Sequence, residues 1–237
     1  MKQYRSLFFL VSIAVLFIVC VGFSHYRNQN KNIETIAIQF TRPVKLLDEL
    51  TVNKLLTQNW GSKCSLPKDS LDLNMLENQL NSTPEIENTE LFLAPEGTLS
   101  LQVTERTPLF KYGSNSSLFS DASGALFHYK QNDSIPYPLF YTSSATFSLD
   151  VTAALIETLQ EDPFLARELK SIELEKNQYK LSLKSYEFEV LLGTPTRVKE
   201  KIKKLKVFCA FQHVQDSLKN YKSINLSYDK QVVASSS

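Results

Sequence analysis

Hydrophobic and polar positions divide the chain into stretches of different period. Leu7 to Phe23 is a run of seventeen residues without a charge, which as a helix rising about 1.5 Å per residue spans roughly 26 Å, enough to cross the hydrocarbon core of a bilayer. Tyr4 and Tyr26 flank it at interfacial depth. Lys2, Arg5 and the amino terminus outnumber Arg27 and Lys31 on the other side, so the N-terminus is expected in the cytoplasm and the bulk of the chain outside it. No small-x-small cleavage site follows the run, and Val19 before Cys20 is too bulky for a lipoprotein signal. The pattern predicts an uncleaved single-pass type II anchor over 7–23, with a cytoplasmic tail at 1–6 and a polar linker at 24–32.

Past the linker the period falls to two. Ile36, Ile38 and Phe40 share one face of a strand within Ile33–Phe40, which Pro43 ends. From Leu46 to Asn59, Leu47, Leu50 and Leu55 or Leu56 stand at helical spacing, and Trp60-Gly61 stops the helix. Asp72 caps a second helix whose Leu73, Leu76 and Leu80 make one apolar stripe before Pro84. Ile86 to Leu93 reads as a strand, Ala94-Pro95-Glu96-Gly97 as a tight turn, and Leu99, Leu101 and Val103 as the strand returning from it. The order strand, helix, helix, strand, strand predicts an α+β domain over 33–107, a small sheet covered by two helices.

After Thr107-Pro108 the composition shifts toward Ser, Tyr, Asn and Phe, and a mixed β domain with packed helices is expected over 108–234. Phe119 to Gly124 forms a turn between short strands. Asp150–Gln160 and Pro163–Lys170 read as one broken helix, the second part capped by Asp162 with proline in its first position. Ser171–Glu175, Tyr179–Leu183 and Tyr186–Leu192 suggest an antiparallel meander. Thr194-Pro195 opens a helix in which Val198, Ile202, Leu205 and Cys209 form the apolar stripe, while Lys199, Lys201, Lys203 and Lys204 solvate other faces. Tyr221 to Ala234 reads as one long closing strand, with Ile224, Leu226, Tyr228, Lys230 and Val232 on one side, followed by a disordered tail at 235–237.

Composition narrows the functional classes. With 26 basic and 25 acidic residues, a net charge of +1 leaves no broad basic surface for nucleic acid. Cys64 and Cys209 are too isolated to make a disulfide framework and read as free thiols. His25, His128 and His213 show no metal-ligand spacing, and there is neither a Gly-x-Ser-x-Gly elbow nor a phosphate-cradling glycine loop. Cys209 and His213 lie one helical turn apart, but the cysteine belongs to the apolar stripe and reads as packing. Glu105 and Arg106, neighbours on a strand, point to opposite faces. No catalytic residue, metal, cofactor or small-molecule substrate is expected. Sequons at Asn81, Asn115, Asn132 and Asn225 would fit a glycosylated eukaryotic membrane protein, though Asn225 would then sit inside a strand.

Several segments, in order, resemble the bacterial FtsQ/DivIB cell-division family: Leu71-Asp72-Leu73-Asn74-Met75-Leu76-Glu77, Pro84 to Leu91, Gly97-Thr98-Leu99, Glu105-Arg106-Thr107-Pro108, Asp121-Ala122-Ser123-Gly124, Leu192-Gly193 before a Lys-rich helix, and Ile224 to Val233. The resemblance implies that 33–107 is a POTRA-type module. It also implies a non-enzymatic divisome scaffold in the cytoplasmic (inner) membrane, concentrated at the septum. Such a scaffold recruits small single-pass coiled-coil proteins of the FtsB/DivIC and FtsL type and helps control septal peptidoglycan synthesis. The physical route would be strand addition to a free sheet edge, with Tyr228, Lys230 and Val232 making the contacts and Ile224 and Leu226 in the core. The alternatives are a membrane-anchored envelope enzyme and a general POTRA-bearing envelope adaptor.

Overall fold

The computed structural model describes residues 2–29, 33, 35–43, 46–58, 71–114, 117–131, 134–215, 221–229 and 231–236. It is an α+β chain that divides into two compact units, Met1–Glu105 and Arg106–Ser237.

The first unit begins with α1 (Lys2–Gln29), in which Phe9–Tyr26 has a mean hydropathy of 2.2 and no buried residue. Such a helix is long and apolar enough to cross a membrane. Then come β1 (Thr35–Phe40), α2 (Glu49–Thr57), α3 (Leu73–Asn81), β2 (Ile86–Leu93) and β3 (Thr98–Glu105), the expected order of elements. Both helices start where an aspartate can satisfy an orphan amide: Asp48 accepts from Thr51 N–H and Asp72 from Met75 N–H, each at 3.0 Å. The sheet order is β1-β3-β2, with β1 parallel and β2 antiparallel to the central β3. Leu99, Leu101 and Val103 of β3 face Val52, Leu56, Leu76 and Leu80 across a dry core. Glu105, next on the same face, is also buried, and its carboxylate accepts the backbone N–H groups of Leu46 and Leu47. That pins the segment between β1 and α2.

The second unit is built on one nine-stranded sheet in the order β12-β11-β10-β9-β8-β7-β4-β5-β6. Its strands are β4 (Phe110–Tyr112), β5 (Leu118–Ser120), β6 (Leu126–His128), β7 (Leu139–Thr142), β8 (Leu169–Glu175), β9 (Gln178–Leu183), β10 (Glu189–Gly193), β11 (Tyr221–Asn225) and β12 (Val233–Ser236). Besides β4 to β7, which are parallel and joined through β5 and β6, two joints are parallel, β7 to β8 and β10 to β11, and each of these two needs a crossover. The crossovers are helical: α4 (Leu149–Gln160) with α5 (Pro163–Glu168), and α6 (Val198–Gln215). Ile156, Leu159, Leu165 and Leu205 of these helices share one core with Phe110, Phe140, Ile172, Leu181, Val190 and Ile224. Phe119 and Phe127 pack in a different cluster, Phe119 meeting Tyr129 and Tyr137 edge-on.

The pattern misplaced four boundaries. Leu169 and Lys170 belong to β8, not to the helix before it. α6 starts at Val198 and not at Thr194-Pro195, because Arg197 takes a left-handed conformation (φ 50°) that ends the turn leading into it. Lys201 is buried, donating to the Thr194 carbonyl at 2.7 Å. The long closing strand over 221–234 is two antiparallel strands, and β12 takes in Ser235 and Ser236 of the expected tail. The break comes at Asn225, whose side-chain oxygen accepts the N–H and hydroxyl of Ser227 in an Asx turn. Leu226 then turns into the core, with its N–H on the Leu191 carbonyl.

Candidate functional site

β12 ends the large sheet. It pairs with β11 through Asn225↔Val233, Ile224↔Ala234 and Ser223↔Ser235, and among the described residues its other side pairs with nothing. In an antiparallel strand alternate residues turn their N–H and C=O away from the partner, so that side offers unused donors and acceptors. The sequence Val-Ala-Ser-Ser carries no charge or proline to blunt it, and its pairing with β11 shifts register between Tyr221 and Ser223. The outer edge of β2, in the first unit, differs: the Glu77 carboxylate on α3 accepts Leu91 N–H at 2.9 Å and occupies an edge donor.

Between α6 and the connection that leads into β12 lies a groove of about 440 Å3, lined by Val207, Phe208, Phe211 and Val232 together with Lys203, Lys204 and Gln231. It exists because α6 carries two apolar stripes. Ile202, Leu205 and Cys209 are buried, whereas Val207 and Phe211, on the opposite face, are 71% and 52% exposed. The signal for the second stripe was present in the i, i+4 spacing of Lys203, Val207 and Phe211; a helix read as having a single apolar face hides it.

Of the expected contact residues, Tyr228 and Val232 lie outside any strand. Val232 lines the groove and packs on the core. Tyr228 stands in the bend after Asn225, about half exposed, and its carbonyl accepts from Lys204 Nζ at 2.7 Å. Lys230 lies outside the described residues. Ile224 and Leu226 are fully buried. In the same bend the Asp229 carboxylate accepts from the Arg197 guanidinium at 2.7 Å, and the Ser227 side chain packs against the bare Cα of Gly193. The connection between β11 and β12 is thus fastened to the start of α6.

Charge at the site is mixed. Lys206 bridges to Asp162 at 2.9 Å and Lys199 approaches Glu161 at 3.8 Å. Burial would raise the Asp162 carboxyl, but the Lys206 ammonium and two amides of α5 outweigh it and hold the group below the usual carboxylate range. Burial lowers Lys201, with Arg197 and Lys204 adding to the effect. Cys209 behaves as core: burial pushes its thiol up to about 11, so it is protonated at neutral pH and not nucleophilic. Cys64 and the side chain of His213 lie outside the described residues.

Glu105 and Arg106, adjacent in sequence, do part company: Glu105 turns to Leu46 and Leu47, whereas Arg106 bridges to Asp121 at 2.6 Å with both side chains largely buried. Asp121 also accepts from Ser123 and from Ala125 N–H, which makes the Asp121–Gly124 segment a rigid turn.

No curated protein matches the chain by sequence. The profile of the family described as FtsQ/DivIB, C-terminal related, matches residues 107–235, more than half of the chain and almost the whole of the second unit. With that match, and with an apolar N-terminal helix fit to anchor it, the chain belongs to the FtsQ/DivIB C-terminal-related family and has a role in cell division.

Proposed function

We propose that the chain is a non-enzymatic divisome scaffold of the cytoplasmic membrane. It captures small single-pass proteins of the FtsB/DivIC and FtsL type by adding one of their extracytoplasmic strands to β12, and so helps position septal peptidoglycan synthesis. The observation that carries the reading is the unpaired outer side of β12 next to an apolar groove. Backbone hydrogen bonds along the edge would supply affinity, and an apolar side chain seated between Val207, Phe211 and Val232 would supply specificity. Tyr228 and Lys230 would act from the connection before the strand. The first unit, 33–107, is read as a POTRA-type module, and α1 as a type II crossing with the N-terminus in the cytoplasm.

The test is a fluorescent fusion at the N-terminus followed through division, with co-purification of the small coiled-coil division proteins. Enrichment at the constriction together with capture, and loss of capture when residues 233–237 are removed, is the expected result. An even distribution around the envelope, from a fusion that is intact and functional, would sink the proposal in favour of a general envelope adaptor.

A further inference from the structure

Arg197 breaks three local rules at once. It holds a left-handed backbone (φ 50°) without being glycine or asparagine. Its carbonyl accepts the amides of Glu200 and Lys201 and so starts α6, yet its side chain has no acceptor for the helix amides ahead of them. It also places a positive charge at the positive end of a helix dipole. The other non-glycine residues of positive φ, Lys176 and Asn177, are explained by the tight β8–β9 hairpin they form. Arg197 has no such explanation in its own loop. What it does have is Asp229, 2.7 Å away across thirty-two residues of sequence.

Asp229 lies in the connection 226–232, longer than the two to five residues usual in a hairpin. β12 itself has only four residues, a half-exposed valine followed by one alanine and two serines, too little to hold its own register. Its placement therefore depends on how the connection is tied down. The ties run to the end of β10, the residue before α6 and the second turn of α6: Gly193 against Ser227, Arg197 to Asp229, and Lys204 to the Tyr228 carbonyl.

We infer that Arg197 and Asp229 form a clasp that holds the β11–β12 connection on α6 and so presents β12 as a preformed edge, making both of them positioning residues for strand capture. The inference rests on the strand-addition reading above. It adds that the free protein keeps β12 in place before a partner arrives. An edge formed only part of the time weakens apparent affinity in proportion to the fraction formed, whereas an exposed ion pair contributes almost nothing to global stability.

The experiment uses the full chain in nanodiscs. Amide hydrogen exchange at Val233–Ser236 and at β9 is compared in the parent, Arg197→Ala, Asp229→Ala and the exchanged pair Arg197→Asp with Asp229→Arg. A peptide of the extracytoplasmic C-terminal segment of the cell's FtsB/DivIC-type protein is the binding probe. Both single variants are expected to exchange about five-fold or more faster at β12 with β9 unchanged, to bind the peptide about three- to ten-fold more weakly, and to recover both properties in the exchanged pair. Unchanged β12 exchange in the single variants overturns the clasp. Faster exchange with unaltered peptide binding overturns its role in capture. Failure of the parent to bind the peptide strikes the strand-addition reading and with it the positioning role, while the exchange data still decide whether Arg197 and Asp229 hold β12.

Discussion

At the scale of single residues, the second unit is organised by a few polar groups with no slack. Asp121 accepts from Arg106, from Ser123 and from the Ala125 amide. Gly124, at the end of the same turn (φ 83°), leaves no room for a side chain, since a Cβ would sit 2.7 Å from the Asp150 nitrogen. Burial acts to raise the Asp121 carboxyl, but its donors win and hold it below the model-compound value of 3.8. Asp121→Asn removes the carboxylate from a largely buried ion pair with Arg106 and is expected to cost about 2–4 kcal/mol. The sign of the pH dependence follows from the lowered value: the ionised carboxylate stabilises the fold fully above the unfolded-state pKa, and the contribution is lost as pH falls through the folded-state pKa. Urea melts of parent and variant should differ by a constant amount between about pH 5 and 7 and converge below about pH 4. A gap that persists undiminished into acid would show that the amide disturbs packing and not charge.

At the scale of elements, α6 does two jobs on two faces, and substitutions should separate them. Leu205 is 1% exposed, so Leu205→Ala is expected to cost about 3 kcal/mol by leaving a cavity. Val207 touches the groove and little else. Val207→Lys should leave the melting temperature within about 1 °C while weakening partner capture about ten-fold, because it puts a charge in the groove lining. Equal losses of stability in the two variants would show that the groove lining is ordinary core. β12 illustrates the opposite case to α6: four residues that contribute little to the fold and most of what the proposed site offers a partner.

At the scale of the whole molecule, each unit has its own core. Phe110, Phe140, Leu165 and Ile224 belong to one, and Leu56, Leu80, Leu99 and Val103 to the other. The family match covers the second unit from its second residue almost to its end. A fragment of residues 106–237 is therefore expected to fold alone and to unfold in one cooperative transition by circular dichroism. Broad, non-cooperative melting of the fragment would mean that its core needs the first unit to close.

What the linear pattern could determine was set by local physics. The apolar run of α1, the aspartate caps of α3 and α5, and the alternation along β3 and β9 each depend on neighbours within one or two turns. The motifs Glu105-Arg106-Thr107-Pro108 and Asp121 to Gly124 carried the family resemblance as sequence, but the side-chain partners of Glu105, at Leu46 and Leu47, and of Asp121, at Arg106, are distant along the chain. What the pattern missed depends on distant contacts. The alternation of Ile224, Leu226, Tyr228 and Val232 describes one strand equally well as two. It is the Asn225 side chain, the Leu191 carbonyl and the Gly193 surface that turn the chain out of the sheet and bring β12 back beside β11. The groove and the clasp at Arg197 exist only once α6 lies against that connection. A helix shows its stripes in sequence, but whether a stripe is covered is decided by the element that packs on it, and among the described residues Val207 and Phe211 stay more than half exposed.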